Sequence, residues 1–208
     1  MMCSHATEDR LPDVHPILVI GFGNTLRRDD GAGPLVARHL ARRLAAEHVS
    51  GIMALDVTQL VPELSEDIRR SKCVIFIDAS IAVPAGRLTI TRVDPHPELK
   101  CAGRLGHHES PERLLALCEK VFGEAPPAFV LAIGAASLKL GWKLSRNVKP
   151  VVHELVNHLY DGLVHKGQDS TPHARLWQPW HNHDAPQVWK NLFQAATAGN
   201  PFIGKGII

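Results

Sequence analysis

Residues 17–33 read ILVIGFGNTLRRDDGAG. Ile17 to Ile20 run without a polar break and stop on Gly21. β-Branched residues in an uninterrupted apolar run, closed by glycine, mark a strand buried on both faces. Gly21 and Gly23 make a turn through which backbone can approach another group closely. Asp29-Asp30-Gly31 then offers a helix start, and Leu35, Val36, Leu40 and Leu44 follow at helical spacing. Strand, glycine-rich turn and helix, in that order, form the repeating unit of a parallel sheet.

Outward from this unit the pattern recurs. Residues 51–55, GIMAL, read as a second strand. Leu60, Leu64 and Ile68 mark a second helix on one stripe. Residues 73–77, CVIFI, form the clearest strand and end on Asp78. Residues 87–93, RLTITRV, alternate polar and apolar, as a strand with one wet face does. Only SIAVPAG separates it from the strand before, too short for a helical crossover, so it is expected to run antiparallel. Residues 111–121 read as a helix, 129–133 as a strand and 151–164 as a last helix. The fold class predicted is α/β, a three-layer sandwich with a mainly parallel twisted sheet and helices on both faces.

The chain has 208 residues, 45% hydrophobic, with formal net charge +2. A folded globule with a real core is expected, and no nucleic-acid partner. Its thirteen histidines raise the charge as pH falls below neutral. Cys3, Cys73, Cys101 and Cys118 show no CxxC pair, so neither a zinc ribbon nor a redox pair is indicated. Cys73 and Cys118 sit in apolar patterns and read as buried free thiols. Residues 1–15 read as a polar leader without a signal-peptide apolar segment. No run of ~18 apolar residues predicts membrane insertion, and the expected location is cytoplasmic. Residues 16–165 form the expected domain. Residues 166–208 read as an appendage, rich in proline and histidine and carrying Trp177, Trp180 and Trp189. Val188, Leu192, Phe193 and Ala196 fit one short amphipathic helix within it. The appendage is expected to be dispensable for folding of the domain.

Three elements carry possible chemistry. In the first, Asp29 can cap the following helix and leave Asp30 free. A nucleotide loop fits poorly, because the third glycine of GxGxxG falls on Leu26, and no nucleotide cofactor is expected. The second is Asp78, at the carboxyl end of a buried strand, where ligands of parallel sheets bind. Its bland alternative is to cap a turn near Ser80. If strands one and three are neighbours, Asp30 and Asp78 converge. The third is GHHESP at residues 106–111, with Ser110 as cap and Pro111 opening a helix. A histidine beside a helix N-terminus stays neutral and keeps a lone pair for metal. Two carboxylates and one imidazole suit a divalent transition metal.

Residues 21–33, GFGNTLRRDDGAG, resemble the GxGNxLxxDDGxG signature of the [NiFe]-hydrogenase maturation endopeptidases. The resemblance continues through LDVTQLVPELSEDIRRSKCVIFIDAS at 55–80, HHESPERLLAL at 107–117 and APPAFVLAIGAASLKLGWKLS at 125–145. Four motifs in the right order cover residues 16–164. The resemblance implies a phosphorylase/hydrolase-like fold. It also implies an endopeptidase that removes the C-terminal peptide of the nickel-loaded large-subunit precursor of [NiFe] hydrogenase. Its partner is that precursor, and its nickel ion is carried by the substrate. Asp30 and Asp78 carry over as catalytic and metal-engaging residues. His107 is the metal-facing histidine by its place in H-x-x-[ST]-P, with His108 as the alternative. Gly21, Gly23 and Asn24, which open the signature, are expected to meet the substrate. Two departures stand out. The first site residue is often glutamate in the family, and Asp30 is one methylene shorter. LDVTQL replaces a glycine-rich turn and is expected to alter the cleft wall. No serine or cysteine sits at a recognisable nucleophile elbow. The rival reading is a non-catalytic metal-sensing or hydrogenase-binding accessory protein of the same fold.

Overall fold

Strand β1 spans Ile17–Phe22, and its first four side chains are wholly buried. The computed structural model describes residues 16–96 and 109–165, together with residues 188, 190–192 and 194. A 3-10 turn, Arg28–Gly31, leads from β1 directly into helix α1, Ala32–Ala46. There follow β2 (Ile52–Val57), a 3-10 turn (Pro62–Leu64), α2 (Ser65–Arg69), β3 (Cys73–Ser80) and β4 (Leu88–Val93). Helix α3 (Pro111–Phe122), β5 (Ala128–Gly134) and α4 (Val148–Val164) complete the domain.

The five strands form one sheet in the order β2-β1-β3-β5-β4. All pairs are parallel except β4 with β5, which is antiparallel at the edge. The short SIAVPAG link leaves that strand no other direction. Alternation along the strands divides the core into two layers. Ile17, Val19, Ile75 and Ile77 face α1 and α4, packing with Leu40, Leu155 and Leu159. Leu18, Ile20, Val74 and Phe76 face the other side, with Ile68 of α2 and Leu114, Leu115 and Cys118 of α3. The sheet is therefore sandwiched between two helical layers.

One predicted helix is shorter than its stripe suggests. Leu60, Leu64 and Ile68 are all buried, but Leu60 lies ahead of the 3-10 turn and only five residues are α-helical. Pro62 lacks an N–H and its ring opposes helical continuation from upstream. Helix α3 begins as its sequence predicts: the Ser110 hydroxyl accepts a hydrogen bond from Arg113 N at 3.4 Å, with Pro111 in the first turn.

Cys73 and Cys118 are buried free thiols, and burial pushes Cys73 up to about 12 and Cys118 to about 11. Such thiols are inert. Cys3 and Cys101 lie outside the described residues. Residues 188, 190–192 and 194 are helical. Leu192 is 0% exposed, and it and Val188 join the core on the α1–α4 face. Phe193 and Ala196, the rest of that predicted stripe, lie outside the described residues. Among the described residues no helix is long and apolar enough to cross a membrane.

Candidate active site

The turn after β1 is shaped by its own backbone. Gly23 has φ +136, a conformation that L side chains rarely adopt, and a Cβ there would meet the Asp30 carbonyl oxygen at 2.0 Å. Gly23 N donates to Val57 O at 3.2 Å, tying the turn to the end of β2. Asn24 shapes the same turn: its side-chain oxygen accepts from Leu26 N at 2.9 Å. Its own N–H donates to Asp30 Oδ2 at 3.0 Å.

Asp29 and Asp30 have different partners. Asp29 is 0% exposed. Its carboxylate accepts from Ala136 N (2.9 Å), Ser137 N (2.9 Å), Ser145 N (2.6 Å) and Ser145 Oγ (2.7 Å). Burial pushes its pKa up, but these donors outweigh burial and hold the carboxyl below its ordinary value. The expectation that Asp29 caps α1 is therefore wrong. No side chain caps that helix, because a 3-10 turn feeds it and Asp29 reaches across to the loop after β5 instead. Sequence reading missed this, since the partners lie more than 100 residues away.

Asp30 and Asp78 do converge. Both line one cleft of about 380 Å³ at the carboxyl ends of the parallel strands. Phe22, Gly23, Asn24 and Arg27 line it from the first turn, Thr58, Gln59 and Leu60 from the end of β2, and Glu109 from the start of α3. Asp78 follows directly on the paired stretch of β3 with β1, where Ile77 sits opposite Gly21. Burial pushes the Asp78 carboxyl up to about 6, against a hydrogen bond that Ala79 N donates to it at 2.7 Å. The charge of Asp30 raises it further, so the two carboxylates are within electrostatic reach. The turn-capping alternative does not apply: the Ser80 hydroxyl, not Asp78, accepts from Ala82 N at 3.2 Å.

Gly23 and Asn24 line the cleft, and Gly21 is not among its lining residues. Gly21 is buried, and a Cβ on it would stand 2.1 Å from the Gly33 carbonyl oxygen. Its role is to let α1 cross β1 closely. The departure at LDVTQL does form cleft wall, through Thr58, Gln59 and Leu60. His107 and His108 lie outside the described residues. Glu109, beside them, was given no role by the sequence. It lines the cleft and stands 3.6 Å from Arg113 Nε. Its signal was its place in the same loop as the histidines, just ahead of a helix cap. Among the described residues no group of three His, Cys, Asp or Glu is placed to hold a metal ion.

Chemically, the cleft offers two neighbouring carboxyl groups, of which Asp78 is pushed up to about 6 by burial. Paired carboxyl groups in one cleft can serve acid–base chemistry.

No family model matches the chain, and no curated protein matches it by sequence. Solved structures do match. A [NiFe] hydrogenase maturation protease, HycI from Thermococcus kodakarensis KOD1, aligns with TM-score 0.55 and 22% identity over 74% of this chain and 96% of that one. The hydrogenase 2 maturation peptidase from Thaumarchaeota archaeon SCGC_AB-539-E09 aligns with TM-score 0.50 and 25% identity, covering 71% and 97%. The hydrogenase maturating endopeptidase HybD from E. coli aligns with TM-score 0.52 and 22% identity, covering 73% and 93%. The fold of this chain is that of the [NiFe] hydrogenase maturation proteases.

Proposed function

We propose that the chain is a cytoplasmic endopeptidase that removes the C-terminal peptide from the nickel-loaded large-subunit precursor of a [NiFe] hydrogenase. The observation that carries this reading is the meeting of Asp30 and Asp78 on one cleft in a chain with the maturation-protease fold. The four sequence motifs add to it. Hydrolysis needs a water activated against the scissile carbonyl and a proton for the leaving amine. In an aspartyl-type division of labour, Asp30 takes the proton of the water. That proton is then returned to the leaving nitrogen as the peptide bond breaks. Nickel enters with the substrate. Asp30, Asp78 and His107, with His108 as the alternative, are the groups that engage it. Two oxygens and an imidazole nitrogen form a donor set suited to a divalent transition metal. Gly23 and Asn24 line the path of the peptide.

The test is incubation with a nickel-loaded large-subunit precursor, followed by mass spectrometry for a released C-terminal peptide. Release by the wild type, and a loss of about a hundredfold or more in Asp78→Asn, is the expected result. His107→Ala is expected to lose release and His108→Ala to keep it; the reverse outcome transfers the role to His108. A stable complex without any release points to the accessory-protein reading instead.

A further inference from the structure

Beside the cleft two loops project as one body. Arg28 N donates to Gly141 O at 2.8 Å and Gly141 N to Leu26 O at 2.9 Å. The Arg27 guanidinium donates to Leu138 O at 3.1 Å. From beneath, the buried Asp29 carboxylate holds both ends of the second loop, at residues 136–137 and at 145. What this scaffold presents outward is apolar. Leu26 is 50% exposed, Leu140 82% and Trp142 85%. Leucine and tryptophan held in water on a braced loop mark a surface that meets another molecule.

The charge around them has one sign. Arg27, Arg28, Lys139, Lys143 and Arg146 are all exposed. Residues 135–147 contain no aspartate or glutamate. In the first loop Asp29 is buried and Asp30 turns to the cleft. The platform is also continuous with the cleft, because Arg27 lines the one and braces the other.

We infer that this platform docks the folded body of the protein whose C-terminal peptide enters the cleft. The surface it fits is an apolar depression ringed by carboxylates. The inference rests on the endopeptidase reading above. Tryptophan and arginine are the side chains that most often anchor interfaces. Bracing by backbone hydrogen bonds means that little freedom is lost on docking. Uniform positive charge steers an acidic partner toward the cleft and makes association sensitive to salt.

The experiment uses the full chain carrying Asp78→Asn, so that the partner stays whole, and measures its affinity for the nickel-loaded large-subunit precursor. Into this parent are placed the pairs Leu140→Ser with Trp142→Ser, and Lys139→Glu with Lys143→Glu. Each pair is expected to weaken binding about tenfold or more. The charge pair is expected to act mainly by slowing association and flattening its salt dependence. Melting midpoints are expected to stay put, since all these side chains are exposed. A photo-crosslinking residue in place of Trp142 is expected to attach to the precursor. Unchanged affinity in both pairs overturns the inference while leaving the endopeptidase reading intact. Crosslinking only within the same chain also overturns it, because a segment of this chain then covers the platform. A parent and wild type that neither bind nor cleave the precursor remove the endopeptidase reading, and this inference with it.

Discussion

Asp29 and Asp78 are buried or partly buried acids whose environments act in opposite directions. Asp78 is desolvated and held up to about 6, so the folded state holds its proton where the unfolded chain has released it. Between about pH 4 and pH 6 the folded state carries more protons, and this group's contribution to stability falls as pH rises. Asp78→Asn keeps an acceptor for Ala79 N and removes the charge. Its melting midpoint is expected above that of the wild type at pH 7, by an equivalent of about 1–3 kcal/mol, and to converge with it near pH 4. Calorimetry at the two pH values checks this; a variant that is less stable at pH 7 would mean that Asp78 is structural. Asp29 has the other sign. Its carboxyl is held below the ordinary value, so its stabilisation is present above about pH 4 and is lost as pH falls through the folded pKa. Asp29→Asn can keep an oxygen at the place of Oδ2 but sets its NH2 against Ser145 N, which now donates to Oδ1. A loss of about 2–4 kcal/mol is expected in denaturant melts at neutral pH, shrinking in acid.

At the scale of elements, the site depends on how closely α1 approaches the sheet. Gly21 of β1 and Gly33 of α1 are opposed, and a Cβ on Gly33 would stand 2.3 Å from the Ile77 carbonyl oxygen on β3. Helix, first strand and third strand thus meet through backbone, one residue before Asp78. Gly21→Ala would put a methyl 2.1 Å from a backbone oxygen, which no rotamer change relieves. A destabilisation of about 1–3 kcal/mol or more is expected by urea melt, with reduced cleavage because Asp30 and Asp78 are pushed apart. An alanine variant as stable as the wild type would show that α1 is free to move away from β1.

At the scale of the molecule, the segment after residue 165 has a stake in the core. Leu192 is 0% exposed and clusters with the side chains of α1 and α4. The stripe that carries Val188 and Leu192 was legible in the sequence, but its packing on the domain is revealed only by the structure. Ending the chain at His165 is still expected to leave a folded domain, but one weakened by about 2–4 kcal/mol through loss of Leu192 and Val188. Leu192→Ala alone is expected to account for most of that loss. Thermal melts of the two variants decide it: equal midpoints for wild type and truncation would show that the segment contributes nothing to the domain.

What the sequence determined by itself was everything set by local pattern. Uninterrupted apolar runs at 17–20 and 73–77 identified the buried strands, because a strand covered on both faces tolerates no polar side chain. The seven-residue link before β4 determined that strand's direction, because so short a connection cannot carry a crossover. Ser110 and Pro111 located the start of α3, because capping is a contact between near neighbours. The convergence of Asp30 and Asp78 followed from these elements only on the condition that β1 and β3 are neighbours, which the sheet order supplies. Asp30 was assigned to the cleft from the sequence, but the tertiary structure alone decided what its neighbour does, since Asp29 finds its donors at residues 136–145. It also decided that Gly21 serves packing, that Glu109 joins the cleft and that Leu192 joins the core. Each of these turns on a contact between distant parts of the chain, and no local periodicity or spacing encodes such a contact.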